Sequence, residues 1–531
     1  MEFDYIVVGA GAAGSVVARR LVDAGDTVLV LEAGPTDWHP LIQIPAGFFH
    51  LLRDGRASWG YSTQPVASIG GRSQVYPRGK VMGGSGAING LMQSWGLPYD
   101  FDRWAASGCT GWSFEDVRPY FMKSEAYANG NPANRGHSGP ITVSDFVTPH
   151  PLAEDLLSAG VELGLPVLKD YNSEFGEGVS LVQQTRKGRL RVTSASAYLR
   201  PVRSAANLKL ETHAHVASIN IEAGRVAGVS YLKGGVLKTA NARREVILCA
   251  GAINTPHLLN ISGIGDGAEL QSLGIQLQHH LPQVGRNLQD HYVTKVVRRV
   301  AGKTTLNEQA KGAKLVKEVM KYLLQGKGIL TYSFASATGY VKSAPELDTP
   351  DLQLSFAPGS FPPTGGYSLD PEPGVTLGIW QMRPTSRGEV RTVSADPNVA
   401  PAIAPGYLQT SADQRAAIEA VRWSRRFLFS KAFESYGGAE VTPGESVTSD
   451  EAILEYSRRT GSTTFHPVGS CRMGSDTDAV VDPQLRVRGL AGLRIADASV
   501  MPNITSSNTH APTVMIAEKA ADMIIQAARK S

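Results

Sequence analysis

A short apolar run, Tyr5-Ile6-Val7-Val8, leads straight into Gly9-Ala10-Gly11-Ala12-Ala13-Gly14 and then into a helical stretch that continues through Ala24. A second apolar run, Thr27-Val28-Leu29-Val30-Leu31, stops at Glu32. Strands this uniformly apolar belong to a parallel sheet buried on both faces, and a helix joining two of them makes a βαβ unit. The glycines permit a tight turn and let backbone N–H groups approach a pyrophosphate at the helix N-terminus. A carboxylate closing the second strand can accept hydrogen bonds from a ribose diol. In a chain with 56 glycines such a turn alone carries little weight. Strand, turn, helix and acidic residue in register supply the context that makes it a dinucleotide site. Phosphate geometry leaves FAD and NAD both open.

Similar elements recur. Glu245-Val246-Ile247-Leu248-Cys249-Ala250-Gly251-Ala252-Ile253 reads as a second strand, turn and helix, and Leu493-Arg494-Ile495-Ala496-Asp497 as a third strand ending in a carboxylate. From Pro512, placed at the first helical position, Ile516, Ala520, Met523, Ile524 and Ala527 share one helical face. Between about residues 296 and 460 the texture changes. Pro/Gly-rich loops separate alternating strands such as Leu352–Phe356, and an amphipathic helix is expected near Asp413–Ser430. The expected fold class is therefore α/β with two interleaved domains. A Rossmann-like nucleotide domain takes residues 1–155, 195–295 and 460–531. A substrate domain, an antiparallel sheet with covering helices, takes 156–194 and 296–459.

Composition removes several alternatives. Charged residues are 19% and the net charge is +4, with no basic run or arm, so nucleic acid is not expected as a partner. The three cysteines, Cys109, Cys249 and Cys471, are far apart and offer neither a disulfide framework nor zinc spacing. No apolar stretch approaches the ~18 residues that span a bilayer. The Met-Glu-Phe-Asp-Tyr start lacks the charged and apolar regions of a signal peptide. The expectation is a soluble cytoplasmic protein, with peripheral membrane contact left open.

Eight segments in order resemble the glucose–methanol–choline (GMC) oxidoreductases, and the likeness covers nearly the whole chain. They are Gly9–Gly14 with Glu32-Ala33-Gly34; Arg78–Asn89; Gly251–Pro256; Ser262–Gly265; Val284–His291; Phe465–Gly474; Asp497–Pro502; and Asn508–Thr513. The flavour is nearest choline-dehydrogenase-like and sorbose-dehydrogenase-like bacterial members. The resemblance implies FAD as cofactor, with the pyrophosphate on Gly9, Gly11, Ala12, Ala13 and Gly14 and the ribose on Glu32 beside Ala33. It implies flavin-side contacts at Gly83, Gly84, Ser85 and Asn89, and an adenine contact from the Val216 backbone. Asp497 and Ala498 fall near the pyrophosphate or ribityl chain, with His510 and Pro512 also on the cofactor. Some members bind FAD covalently through a histidine in the segment where Ile88 stands, and isoleucine offers no nitrogen, so non-covalent FAD is expected. The usual GGSSS run is changed here to Gly83-Gly84-Ser85-Gly86-Ala87.

The implied reaction is oxidation of a primary alcohol to its aldehyde, with a hydride passing to flavin N5. A neutral imidazole suits removal of the hydroxyl proton, because its pKa of ~6.5 leaves it mostly unprotonated. By motif position His466 and His510, the latter Asn in many relatives and His in others, are the two site residues, and either could share the proton. His466 is taken as the base and His510 as its hydrogen-bonding partner, a division that motif position alone does not fix, with Phe465 as a candidate wall of the substrate site. His291 is assigned no chemistry, and His213, His215, His257, His279 and His280 are read as surface or packing residues. No metal site is expected. Ser85 lacks a GxSxG elbow, which disfavours a serine hydrolase. Phe48, Phe49, Trp59, Tyr61, Phe361 and Tyr367 are candidates for an aromatic entrance. The electron acceptor is either O2, giving H2O2, or a quinone; a hydroxynitrile lyase on the same scaffold is the remaining alternative.

Overall fold

The computed structural model describes residues 1–146, 148–362 and 368–530. Two seven-stranded sheets organise it. In the first, Leu208–Glu211, Val28–Leu31, Glu2–Val8 and Val236–Leu248 lie side by side in parallel, and Leu493–Ile495 joins the far end of Val236–Leu248. Arg225–Lys233 and Ala214–Glu222 then extend the sheet in antiparallel fashion. Tyr5–Val8 and Val28–Leu31 are buried at every residue. Their continuous apolar character follows from helices covering both faces.

The Gly14–Asp23 helix crosses between the first two strands, as the opening pattern predicts. Gly9, at φ +97°, makes the turn, and a Cβ on Gly14 would lie 1.8 Å from the Gly9 carbonyl oxygen. Only glycine lets helix and strand approach this closely. The C-terminal helix runs His510–Lys530 and packs on Gly14–Asp23 and Phe114–Ser124. Pro512 is thus its third residue rather than its first. The first turn tolerates proline there because its N–H would have no intrahelical acceptor.

The second sheet orders Glu440–Thr442, Tyr292–Arg299, Gly374–Gln381, Leu352–Ala357, Ala337–Val341 and Gly178–Leu181, with Ser462–Thr463 paired to Tyr292 and Val293. Boundaries at 295 and 460 therefore cut this sheet, because Tyr292–Arg299 and Ser462–Thr463 both belong to it. Leu352, Leu354, Phe356, Val375, Leu377 and Ile379 pack under the Ser411–Leu428 and Pro151–Glu162 helices. Leu352–Ala357 alternates apolar and polar residues yet is buried throughout. Its opposite face carries Ser355, which lines a cavity with Thr376, Gly378 and Trp380 of the neighbouring strand. Ser355 faces that cavity, not bulk water, and Gln353 is buried against Thr338. Among the described residues no helix is long and apolar enough to cross a membrane.

Candidate active site

The cavity between the sheets has a volume of about 700 Å³. That lies in the upper part of the ~300–1,000 Å³ range of ligand sites. One end is formed by Gly9, Gly11, Ala12, Ala13, Glu32, Ala33 and Val216, the other by Phe465, His466, Asn508 and His510, with Gly84, Ser85, Ile88, Asn89, Asp497 and Ala498 also on the wall. Gly14, Gly83 and Pro512 are not on the wall. Gly14 is shielded behind Gly9. Gly83 donates its N–H to the Ala10 carbonyl at 2.8 Å, so it ties one glycine turn to the other. Pro512 lies inside the helix.

Glu32 accepts the Ala10 N–H on one carboxylate oxygen and the Gly34 N–H on the other, both at 2.9 Å. Burial pushes its pKa up to about 7 against those two donors and Lys80. Asp497 receives four donors: the Gly251 and Ser499 N–H groups and the Thr255 and Ser499 hydroxyls, at 2.6–2.8 Å. It borders the cavity but spends its lone pairs on the second glycine turn and on capping Ala498–Val500.

At the opposite end three segments converge on His466. Its backbone N–H donates to Asp290 Oδ1 at 2.8 Å, while Asp290 Oδ2 accepts the hydroxyls of Tyr76, Tyr407 and Thr463 at 2.5–2.7 Å. Phe465 turns the corner at φ +67°, with its carbonyl held by Arg78. On the ring, His466 Nδ1 lies 3.0 Å from His291 Nδ1 and 2.8 Å from Thr464 Oγ1. His466 Nε2 lies 3.0 Å from Asn508 Nδ2.

These distances fix the tautomer. His291 Nε2 is 2.7 Å from the Met382 carbonyl oxygen, which can only accept, so that nitrogen carries the proton. Burial lowers the His291 pKa to about 4, so the ring is neutral and its Nδ1 is bare. The proton between the two imidazoles therefore sits on His466 Nδ1, and His466 Nε2 keeps its lone pair. Burial first, then His291 and Arg78, hold His466 well below the usual histidine range. The result is a neutral imidazole with its basic nitrogen beside the Asn508 amide.

His510 is not the hydrogen-bonding partner of His466. Both of its ring nitrogens are buried without a partner, as is Asn508 Oδ1. Burial and the charge of Arg191 lower the His510 pKa to about 4. A Cβ on Gly86 would lie 3.0 Å from His510 Nε2, so the Gly84–Ala87 turn needs glycine there to pass the ring. His291 takes the bonding role instead, a correction to its assignment of no chemistry. Asp290, Thr464 and Asn508 also contact His466 without having been expected from the sequence, although Asp290, His291 and Asn508 stand inside family-like segments.

The aromatic candidates separate into two groups. Phe49 packs with Phe48, Phe334 and Phe361 at ring separations of 4.1–6.2 Å. Trp59 and Tyr61 stack at 5.9 Å, and Trp59 also meets His215 at 5.3 Å. Tyr61 donates to Asn254 at 2.6 Å. His215 and His257 line the cavity and so are not only packing residues. Tyr367 lies outside the described residues. No cluster of three or more His, Cys, Asp or Glu suited to a metal occurs among the described residues.

The fold and cavity define an oxidoreductase built around a dinucleotide cofactor, with a buried, neutral histidine on the cavity wall. GMC oxidoreductase profiles match residues 3–293 and 384–517, and the chain belongs to that family. It is 41% identical over 98% of its length to a GMC-type oxidoreductase of Mycobacterium tuberculosis, of which it covers 99%. It is 38% identical over 99% of its length to an alcohol dehydrogenase [acceptor] of Pseudomonas putida, covering 96% of it. The crystal structure of pyridoxine 4-oxidase from Mesorbium loti superposes with a TM-score of 0.87 at 29% identity, covering 98% of both chains. FAD is the cofactor, and the residues fit it: apposed glycine turns, a buried carboxylate at the strand end, and unpartnered polar atoms on His510 and Asn508.

Proposed function

We propose that this enzyme oxidises a primary alcohol to the aldehyde with His466 as general base. The observation that carries this reading is the tautomer lock, Met382 carbonyl to His291 to His466, which leaves Nε2 as the acceptor on the cavity wall. An alcohol hydroxyl replaces Asn508 as the donor to Nε2 and passes its proton there. The Asn508 amide then donates to the alcohol oxygen, and His510 supplies a second polar contact. Phe465 and the sheet face bearing Trp380 form the substrate walls. The chemistry FAD supplies is acceptance of a hydride from the α-carbon at flavin N5. Gly9–Ala13, Glu32, Ala33 and Val216 would hold its adenosine and pyrophosphate half, and Gly84, Ser85, Asn89 and Ala498 its flavin half. The first sheet forms the cofactor domain and the second the substrate domain. Ile88, buried against Val81 and Ala87, gives the flavin no nucleophile, so FAD is held without a covalent bond.

Electrons leave to a quinone-type acceptor in this reading, supported by the relative named alcohol dehydrogenase [acceptor]. The oxidase alternative is supported by the structural neighbour named pyridoxine 4-oxidase. The test is anaerobic mixing with a panel of alcohols, followed by turnover with oxygen or with a quinone dye. Bleaching of the flavin is expected, and its absence with every alcohol would overturn the reading. Peroxide formed at the dye rate selects the oxidase. Acid precipitation should release all of the yellow colour into the supernatant.

A further inference from the structure

The Gly312–Gln325 helix is fastened to the body along one narrow edge. Its buried residues are Glu318 and Tyr322. Glu318 accepts the Ile329 N–H, and Tyr322 donates to the Arg189 carbonyl. The apolar residues turn the other way: Leu315 is 37% exposed, Val316 64%, Met320 48%, Leu323 52% and Leu324 74%. With half-buried Val319 they fall at i, i+1, i+4, i+5, i+8 and i+9, which is one continuous helical face. Lys314, Lys317 and Lys321 form the adjoining stripe at i, i+3 and i+7, and Lys311 and Lys327 stand at the two ends. Single exposed leucines are ordinary, but a contiguous row of them marks an interaction surface.

Charge selects the occupant. The helix's one acidic residue, Glu318, is buried under it and lies 3.8 Å from Lys321, and Lys314 lies 3.6 Å from Glu308. The outward surface is thus an apolar face with a lysine margin that is partly ion-paired. A second copy docked face to face would oppose lysine to lysine. An anionic lipid surface satisfies both halves, because leucines enter the acyl boundary while lysines meet headgroup phosphates. Position agrees. The chain leaving the helix passes through Ile329–Thr331 directly to Ser333 and Phe334 on the cavity wall. Phe334 packs against Phe49 and Phe361 at 6.2 and 5.6 Å, and Phe49 and Phe334 are half-buried. The aromatic edge of the cavity thus lies beside the helix.

We propose that the Gly312–Gln325 helix seats the enzyme on an anionic membrane surface, with the Phe49–Phe334–Phe361 edge of the cavity turned toward the bilayer. Alcohols or acceptors dissolved in lipid then enter beside the helix; that consequence rests on the alcohol-oxidising reading, whereas the docking does not. The test is sedimentation of the holoenzyme with phosphatidylglycerol/phosphatidylcholine vesicles and with phosphatidylcholine vesicles alone. Binding to the first, weakened by salt, is expected. Replacing Val316, Leu323 and Leu324 together by Asp should lower the bound fraction about tenfold or more. Lys314→Gln and Lys317→Gln should each weaken partitioning about fivefold. All variants should keep the flavin absorbance and the turnover of a water-soluble alcohol with a soluble dye; if the triple variant loses its flavin, the lysine variants decide.

Holoenzyme that stays in the supernatant with anionic vesicles would overturn the proposal, as would variants that sediment like the parent. A dimer dissociated by Leu323→Asp, with no vesicle binding, would assign the face to a second copy instead. Vesicle binding by a protein whose flavin no alcohol bleaches would leave the docking standing and refute the proposed reaction alone.

Discussion

His466 and His510 border one cavity and are both kept neutral by burial, yet they are held in opposite ways. His466 is bonded at both ring nitrogens and at its backbone, through His291, Thr464, Asn508 and Asp290. His510 has no ring partner at all. A buried polar atom left unsatisfied costs ~1–3 kcal/mol, so the His510 ring is completed only when the cavity is filled. The difference separates two jobs. An imidazole whose tautomer is fixed in advance can act as a base without rearranging, while one with open nitrogens answers to whatever binds.

The contrast breaks most directly at His466. His466→Ala should slow anaerobic flavin reduction by ~10²–10⁴-fold while FAD stays bound. Near-normal reduction in stopped flow would remove His466 from the role of base. The next effect is on the lock itself. His291→Phe removes the acceptor for the His466 Nδ1 proton, and a hydrogen bond of ~0.5–1.5 kcal/mol corresponds to a loss of up to about tenfold. His291→Asn, which retains an acceptor, should recover part of it. A loss from His291→Phe equal to that of His466→Ala would mean that His291 itself moves the proton.

His510→Asn should cost only a few-fold by the same reasoning, since an amide still bonds an oxygen in the cavity. A larger loss than that of His466→Ala would exchange the two roles. The mildest effect is with pH. The His466 pKa is lowered, so the ring stays unprotonated as pH falls through 6.5, and the rate of flavin reduction should hold flat there and decline only in more acid solution. An acid limb centred at 6.5 would show that the burial of His466 does not persist in the working enzyme.

The two ends of the cavity differ in how far the sequence revealed them. Around Glu32 nearly everything was legible, because strand, turn, helix and carboxylate are neighbours in the chain and each residue type answers a local demand. Gly9 must take a positive φ, Gly14 must pass a carbonyl, and Glu32 closes the strand whose backbone it then braces. Around His466 only the residues themselves could be named. His291 looked inert because its role depends on the Met382 carbonyl, which follows the Gly374–Gln381 strand in another part of the chain. The alternation of Leu352–Phe356 separates two faces without saying what covers the second, and only the fold turns Ser355 toward the cavity. Trp59 and Tyr61 are candidates for an entrance because their rings are apolar, and only the fold shows Trp59 packed on His215 and Tyr61 bonded to Asn254.

The glycine turn and the family could be read from the chain alone, and His466 and His510 could be named as candidates, because these rest on residues close together in the chain or on fixed motifs. Which nitrogen of His466 keeps its lone pair, which histidine bonds it, and which apolar helical face is left uncovered emerge only from the folded arrangement. Those outcomes depend on hydrogen bonds of 2.7–3.0 Å between strands and loops distant in sequence, and on what packs against each face. Spacing along a chain encodes neither until the sheets have come together.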